Sequence, residues 1–355
     1  MINLTPGIQV SRYTILREIG EGGMQKVYLA MDNILSRHVA LKTPKNKSAE
    51  KRFHRSAILA SRVNHPNVAK TLDYFIDDEG REFLTEEFID GVDLDKAILD
   101  TYSSVDPYLT AKIFHNLAKA LSASHHVDVI HRDLKPSNIM VGGGINATEI
   151  KITDFGISKM AGDEIDEAAR NGQDSISSSQ TAIGALPYMA PEIIQSQGKV
   201  SKPTDIWALG AMMFRILTGK YPFGIGYMAI PNILSGTHVP YPDFIFSNRQ
   251  YAPLANEIIK LIEDCLKLEP SERPTADELV MRCGELCYPV STRVFGVIGD
   301  TRVKYGFIRV PHLPNVFFHY DSVYGQKPFT NEKVIFSKHR GGGHDRAHPV
   351  VKAKK

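Results

Sequence analysis

The sequence predicts an α+β chain in three consecutive parts: a small β-rich lobe, a larger helical lobe and a small all-β module. Residues up to about Asp90 alternate β-branched and aromatic positions with turn signals. After Asp90-Gly91 the apolar spacing becomes helical, and from Val294 it turns strand-like again, broken by Gly, Pro and Asn. At 355 residues there is room for a large domain and a small one.

Composition narrows the class. With 43% hydrophobic and 23% charged residues the chain reads as a soluble globular protein. No apolar run approaches the roughly 18–20 residues of a membrane span. The opening MINLTPGIQVSRYTIL lacks the basic start and continuous apolar core of a signal peptide. Cys265, Cys283 and Cys287 form a sparse set without a CxxC, which argues against a disulfide framework or zinc site and for a reduced, cytoplasmic protein. The net charge of +2 is uneven: from Ser291 onward 12 Lys/Arg stand against 4 Asp/Glu, a local +8 that leaves −6 on residues 1–290. An acidic body with a basic end suggests a second module facing an anionic partner; a merely solvated basic face is the other reading.

In order, Tyr13–Ile19, Val27–Ala30, Val39–Lys42 and Phe83–Phe88 read as strands. A helix over Ser48–Val63 interrupts them, with Phe53, Ala57, Ala60 and Ser61 at helical spacing. Residues Thr110–His126 put Phe114, Leu117, Ala118 and Leu121 on one helical face, and further helices fit Thr204–Leu217 and Ala255–Leu268. Between Met160 and Gln180 runs a segment too polar for core, of the kind that is functional or disordered in compact domains. The junction Cys287–Ser291 is short and not Gly/Ser-rich, so the last two parts are expected to be coupled.

The chemistry lies in ordered motifs. Gly20-Glu-Gly22-Gly23-Met-Gln-Lys-Val27 sits between two strand candidates, where glycines let backbone amides approach phosphates; alone it is equally a hairpin turn. Val39-Ala-Leu-Lys42 sets a lysine on the next strand, in reach of α- and β-phosphates. His131-Arg-Asp-Leu-Lys-Pro-Ser-Asn138 is followed by Asp154-Phe-Gly156: Asp133 can accept a hydroxyl proton, and Asn138 and Asp154 offer the oxygen ligands Mg²⁺ prefers. Ala190-Pro-Glu192, Asp205-Ile-Trp-Ala-Leu-Gly210 and Arg273-Pro274 complete the series.

Over about residues 13–286 the chain resembles the eukaryotic-like protein kinase family in its bacterial form. The resemblance implies a bilobal protein-kinase fold and a Ser/Thr kinase using ATP with Mg²⁺, or alternatively Mn²⁺. It implies Asp133, Lys135 and Lys42 as catalytic residues, Lys135 meeting the γ-phosphate. Gly20, Gly22, Gly23, Val27, Ala40, Lys42, Glu87, Ile89, Asn138 and Asp154 would line the nucleotide site, with Glu87 and Ile89 as hinge and Asn138 and Asp154 as metal ligands. Asp205 would support the catalytic loop, Glu192 and Arg273 would form a buried ion pair, and Arg132 would await a phosphate. Thr181 is the best-placed acceptor in the polar segment, with Ser175, Ser177, Ser178 and Ser179 behind it; a polar loop is the bland alternative.

Four positions depart from the family pattern. The helical Glu that pairs with the strand lysine falls at Ser56; the usually apolar position before the hinge is Glu86, expected to replace it against Lys42, with Glu50 or another acid, or a Lys42 unpaired until activation, as the alternatives. Ala185 stands where a Thr is expected, and Gln25 where the last loop glycine is expected, a tolerated change.

In the last part, Lys304-Tyr-Gly-Phe-Ile308 and Val316-Phe-Phe-His-Tyr320 place Tyr305 with Phe307, and Phe317 with His319, on single strand faces. Aromatics among basic residues suit base stacking along a single strand, though core packing is the ordinary role. The strings, with Val334-Ile-Phe336 and His348-Pro-Val-Val, resemble cold-shock domains, small OB-fold barrels, over about residues 293–352. That implies single-stranded RNA or DNA as a partner through Lys304, Tyr305, Phe307, Phe317, His319 and Tyr320. The first strand lacks the family's usual Trp and Phe. His339, His344 and His348 flank Gly341–Gly343 and read as a loop, not a metal site.

The expected organisation is residues 1–12 as an extension, 13–288 as a kinase domain and 292–352 as a cold-shock-like domain. Its partners are ATP, protein substrates and single-stranded nucleic acid, without a membrane. A pseudokinase scaffold, or a barrel that serves only as a brace or a protein-docking surface, are the competing readings.

Overall fold

The computed structural model describes residues 4–21, 25–155, 184–195, 200–289 and 291–354. Six antiparallel strands form the first sheet: β1 (Gln9–Val10), β2 (Tyr13–Glu21), β3 (Gln25–Asp32), β4 (Arg37–Pro44), β5 (Thr71–Ile76) and β6 (Glu82–Glu87), in the order β1-β2-β3-β4-β6-β5. Period-2 alternation puts Tyr13, Ile15, Tyr28, Ala30, Val39, Leu41 and Phe83 into one small core. Helix α1 (Lys47–Ser61) covers part of the sheet through Phe53 and Ala57, which meet Leu84.

The larger lobe begins with β7 (Gly91–Asp93), paired to β8 (Ile139–Gly142) and through it to β9 (Glu149–Ile152). Its helices are α2 (Pro107–His126), α3 (Lys202–Thr218), α4 (Ala252–Cys265) and α5 (Ala276–Gly284), with short helical turns between. Helix α2 starts earlier than the apolar spacing suggests, because Asp106 accepts from the amides of Tyr108 and Leu109 and Pro107 fills the first turn. Helices α3 and α4 cross closely at Gly210, where a Cβ would stand 2.5 Å from that of Cys265. Trp207 of α3 is fully buried, stacked on Phe223.

The last part comprises β10 (Arg293–Thr301), β11 (Tyr305–Arg309), β12 (Val316–His319), β13 (Val323–Tyr324), β14 (Lys333–His339) and β15 (Arg346–Lys352). The order β12-β11-β10-β14-β15 closes on itself through the parallel pairing of β12 with β15, making a small β-barrel. Ile298, Ile308, Phe318, Val334, Phe336 and Val350 fill it, and a Cβ at Gly306 would stand 2.7 Å from the Phe318 ring. His339 ends β14 and His348 lies within β15, so of the three histidines only His344 sits in the connection.

The barrel packs directly on the helical lobe. Tyr324, Ile335, Val351 and Ala353 belong to the lobe's own core cluster, while their strand neighbours Val334, Phe336 and Val350 face the barrel interior. Arg293 forms a buried two-point ion pair with Asp106, at 2.5 and 3.0 Å. Backbone bonds Ser103 N to Lys352 O (3.0 Å) and Lys354 N to Thr101 O (2.8 Å) extend the contact. The short junction and this interface agree. Among the described residues no helix is long and apolar enough to cross a membrane.

Candidate active site

Strand β4 carries Lys42 into the gap between the lobes, 4% exposed. Its Nζ lies 2.6 Å from Glu86 Oε2, on the adjacent strand β6, and 2.8 Å from Asp154 Oδ1. Burial by itself would lower the Lys42 pKa, but the charges of Asp154 and Glu86 outweigh it and hold the ammonium above its ordinary value. The Asp154 carboxyl, which burial would raise, is kept below the usual range by Lys42 and by a hydrogen bond from Gln25. Burial pushes Glu86 the other way, against the pull of Lys42. Ser56 is buried in α1, and the two carboxylates on Lys42 are those of Glu86 and Asp154.

The segment His131–Asn138 is held from beneath by α3. Asp205, 1% exposed, accepts from the backbone amides of His131 and Arg132, both at 2.9 Å, and its Oδ2 lies 2.9 Å from His125 Nε2. Arg132 (φ 73°) and Asp154 (φ 62°) adopt left-handed backbone, a strained conformation that such support maintains. His131 Nδ1 accepts from the Asp133 amide, so Nε2 carries the proton and donates to Thr153 O at 2.8 Å. The His131 ring meets Phe155 edge-on at 4.8 Å, linking the segment to Asp154.

Asp133 is fixed by Lys135 (Nζ to Oδ2, 2.8 Å) and by Asn138, whose Nδ2 donates to Asp133 O at 2.8 Å and Oδ2 at 3.1 Å. Both amide hydrogens of Asn138 are thus engaged within the loop, and its carbonyl oxygen is left as the acceptor. That oxygen and the Asp154 carboxylate form a hard-oxygen donor set, the chemistry a Mg²⁺-class cation takes. Ala185 is buried and supplies no hydroxyl; Lys135 and Asn138 hold Asp133 without it.

Gly20, Val27 and Ala40 lie on β2, β3 and β4, half-buried above this group. Ile89 is buried; the Glu87 carboxylate bonds the Lys70 amide (2.8 Å) and Lys151 Nζ (2.7 Å). Gly22, Gly23, Thr181, Ser175 and Ser177–Ser179 lie outside the described residues. Glu192 and Arg273 pair at 2.7 and 2.8 Å, with Arg273 5% exposed and its guanidinium 5.1 Å from the Trp207 ring.

On the barrel, the register pairs Tyr305 with His319 and Phe307 with Phe317, so the four side chains share the outer face of β11 and β12. Tyr305 and Phe317 centroids are 5.5 Å apart, Phe307 and Phe317 5.9 Å. Exposed Lys304 and Arg346 flank them. Tyr320 does not join this face: it begins the turn after β12, packs edge-on against the inward Phe318 at 5.3 Å and lies under Lys327. The strand parity places it on the inner side. Sequence reasoning missed two contacts: that of Gln25 Nε2 with Asp154 Oδ1 (2.7 Å), and Arg293–Asp106. The signal for the second was a lone arginine opening a strand with no other cation.

The family model for "Protein kinase domain" matches residues 13–282. Among curated relatives, the serine/threonine-protein kinase PrkC of Bacillus subtilis is 34% identical over 217 residues, 60% of this chain and 31% of that one. Serine/threonine-protein kinase pkn3 of Myxococcus xanthus is 33% identical over 278 residues, 75% of this chain and 48% of its own. PknJ of Mycobacterium tuberculosis is 29% identical over 303 residues, 84% and 48%. The chain therefore spans about a third to a half of the length of these relatives. The Mycobacterium tuberculosis PknI kinase domain superposes with a TM-score of 0.58 at 22% identity, covering 80% of this chain and 100% of that one. Rad53 1-466 in complex with AMP-PNP gives 0.58 at 23%, over 76% of this chain and 64% of its own. At these identities the structural matches bear on fold.

Proposed function

The chain belongs to the protein kinase family, and we propose that it transfers the γ-phosphate of ATP to Ser or Thr hydroxyls of proteins. The observation that carries this reading is the convergence of two held carboxylates: Asp133, fixed by Lys135 and Asn138, and Asp154, fixed by Lys42. Asp133 accepts the proton of the attacking hydroxyl. Lys135, 2.8 Å from it, offers its charge to the γ-phosphate, while Lys42 faces the α- and β-phosphates. Asn138 and Asp154 would hold Mg²⁺, with Mn²⁺ as substitute, and the cation would supply positive charge against the phosphates. The glycines at Gly20, Gly22 and Gly23 would cover the phosphates, Val27 and Ala40 would bound the adenine, and Glu87 and Ile89 would meet it.

Radiolabel transfer from ATP to a generic protein substrate tests this. Wild type transfers, and Asp133→Asn loses transfer by about a hundredfold or more while still binding the nucleotide. Equal transfer by the variant overturns the assignment. Autophosphorylation at Thr181, or at Ser177–Ser179, is part of the same reading. Its support is Arg132, whose Nε is buried without a partner among the described residues and suits a phosphate.

The division into a kinase domain (13–288) and a cold-shock-like OB barrel (292–352) is likewise our reading. The outer aromatic face of Tyr305, Phe307, Phe317 and His319, beside Lys304 and Arg346, supports single-stranded RNA or DNA as its partner. Fluorescence anisotropy with labelled oligo-dT and oligo-U tests it: binding should weaken steeply as salt rises from roughly 50 to 200 mM. No binding to either would leave the barrel as a brace on the helical lobe.

A further inference from the structure

Gln25 opens β3, at the end of the glycine-rich turn, and is 7% exposed. Its Nε2 donates to Asp154 Oδ1 at 2.7 Å, the same oxygen that takes Lys42 Nζ at 2.8 Å. Among the described residues the other Asp154 oxygen accepts a single long bond, from Thr153 Oγ1 at 3.3 Å. A chain of contacts therefore runs from Glu86 through Lys42 and Asp154 to Gln25, and spans the space between the start of β3 and the carboxylate. Phosphates and their cation must enter that same space if the turn covers them and Asp154 holds the metal.

The carboxamide is only half satisfied. Its Oε1 is buried and has no partner among the described residues. A buried acceptor without a donor is a cost that the closed arrangement carries and an open one sheds. The contact is thus strong at one end and poised to release at the other.

We infer that Gln25 is a clasp on the metal carboxylate: its amide closes the phosphate slot by occupying Asp154, and it must let go before a divalent cation and nucleotide can bind. The inference rests on the phosphoryl-transfer reading of the site. It assigns Gln25 a positioning role in a place where a glycine would make no side-chain contact at all. The clasp competes with the cation, so its removal strengthens metal binding, whereas loss of a purely structural contact would leave it unchanged or weaken it.

The test is Mn²⁺ binding, read by electron paramagnetic resonance of free Mn²⁺ in the presence of ADP, on the full chain. Wild type is compared with Gln25→Ala and with Gln25→Met, which keeps the length but removes the donor and the orphan acceptor. Both variants should bind Mn²⁺ about tenfold more tightly, the size of one charge-assisted hydrogen bond. ADP affinity measured in EDTA should change less than Mn²⁺ affinity does. If folded Gln25→Met binds Mn²⁺ with wild-type or weaker affinity, the clasp is overturned while the site reading stands. Failure of all three proteins to bind Mn²⁺ with ADP would overturn the site reading and the clasp with it.

Discussion

Glu86 Oε2 lies 2.6 Å from Lys42 Nζ, and the two side chains project from adjacent strands of one sheet, where Ala40 pairs with Glu86. The carboxylate thus comes from β6 and not from α1, where Ser56 stands in its place. A partner on a neighbouring strand moves with the lysine, so the pair does not depend on how α1 is seated. Removing the charge should weaken the grip on the phosphates. Glu86→Gln is expected to lower kcat/KM for ATP by about ten- to a hundredfold, the range of one hydrogen bond to a charged group. The double variant Ser56→Glu/Glu86→Leu should recover part of it by moving the carboxylate to the helix. Steady-state kinetics of the three proteins decide; an unchanged Glu86→Gln sinks the pair's role.

Much of this is legible in the amino-acid sequence, because each part depends on short-range pattern. Strand alternation gave the small lobe, helical spacing gave α2 and α3, and ordered motifs located Asp133, Asn138 and Asp154. Even the Lys42–Glu86 pair followed from two departures read together. What was not legible depended on distance along the chain. Arg293 meets Asp106 across 187 positions and Gln25 meets Asp154 across 129, with no periodicity or motif connecting them. Tyr320 failed for a different reason: it follows Phe317 and His319 in sequence, but strand parity turns it inward.

Arg273 uses its guanidinium completely. Nη1 and Nη2 take the two Glu192 oxygens, at 2.7 and 2.8 Å, and the remaining donors reach Pro203 O, Leu268 O and Lys267 O at 2.8–3.0 Å. Five donors meet five acceptors in a fully buried place. Lysine has three donors and no fork, so Arg273→Lys must leave at least two acceptors unpaired. We expect a loss of about 2–5 kcal/mol, at about 1–3 kcal/mol for each buried acceptor left unpaired. Urea unfolding of the full chain measures it, and a loss below about 1 kcal/mol would contradict the geometry.

Arg293 pins the barrel to the N-cap of α2. Asp106 therefore does two things at once: it caps Tyr108 and Leu109, and it neutralises the buried guanidinium. Arg293→Met leaves a buried carboxylate uncompensated and should destabilise the chain by about 3 kcal/mol. Adding Asp106→Asn should recover part of that loss, since asparagine caps nearly as well and carries no charge. Limited proteolysis would then cut between the lobe and the barrel faster in Arg293→Met than in the double variant. Equal cutting rates would mean that the apolar contacts of Tyr324, Ile335 and Val351 hold the barrel alone.

His348 makes the same interface sensitive to pH. Its ring stacks on Tyr251 (centroids 5.4 Å, 13° between planes), with the hydroxyls of Tyr251 and Tyr108 each 3.4 Å from a ring nitrogen. Burial depresses its pKa below the ordinary imidazole value of about 6.5, His339 and Arg293 act in the same direction, and Asp106 opposes them. With the folded value below the unfolded one, the unfolded chain binds more protons in the window between them. The stabilisation is therefore present above about pH 6.5 and is lost as pH falls through the folded value. His348→Gln removes the titrating group, so its Tm should fall less than that of wild type between about pH 7.5 and about pH 5.5, by about 2 °C in a chain this large. Calorimetry at the two pH values, with His115→Gln as a control whose ring bonds Tyr288 and not a barrel residue, separates this histidine from the others. A His348→Gln curve parallel to wild type would place the acid sensitivity elsewhere.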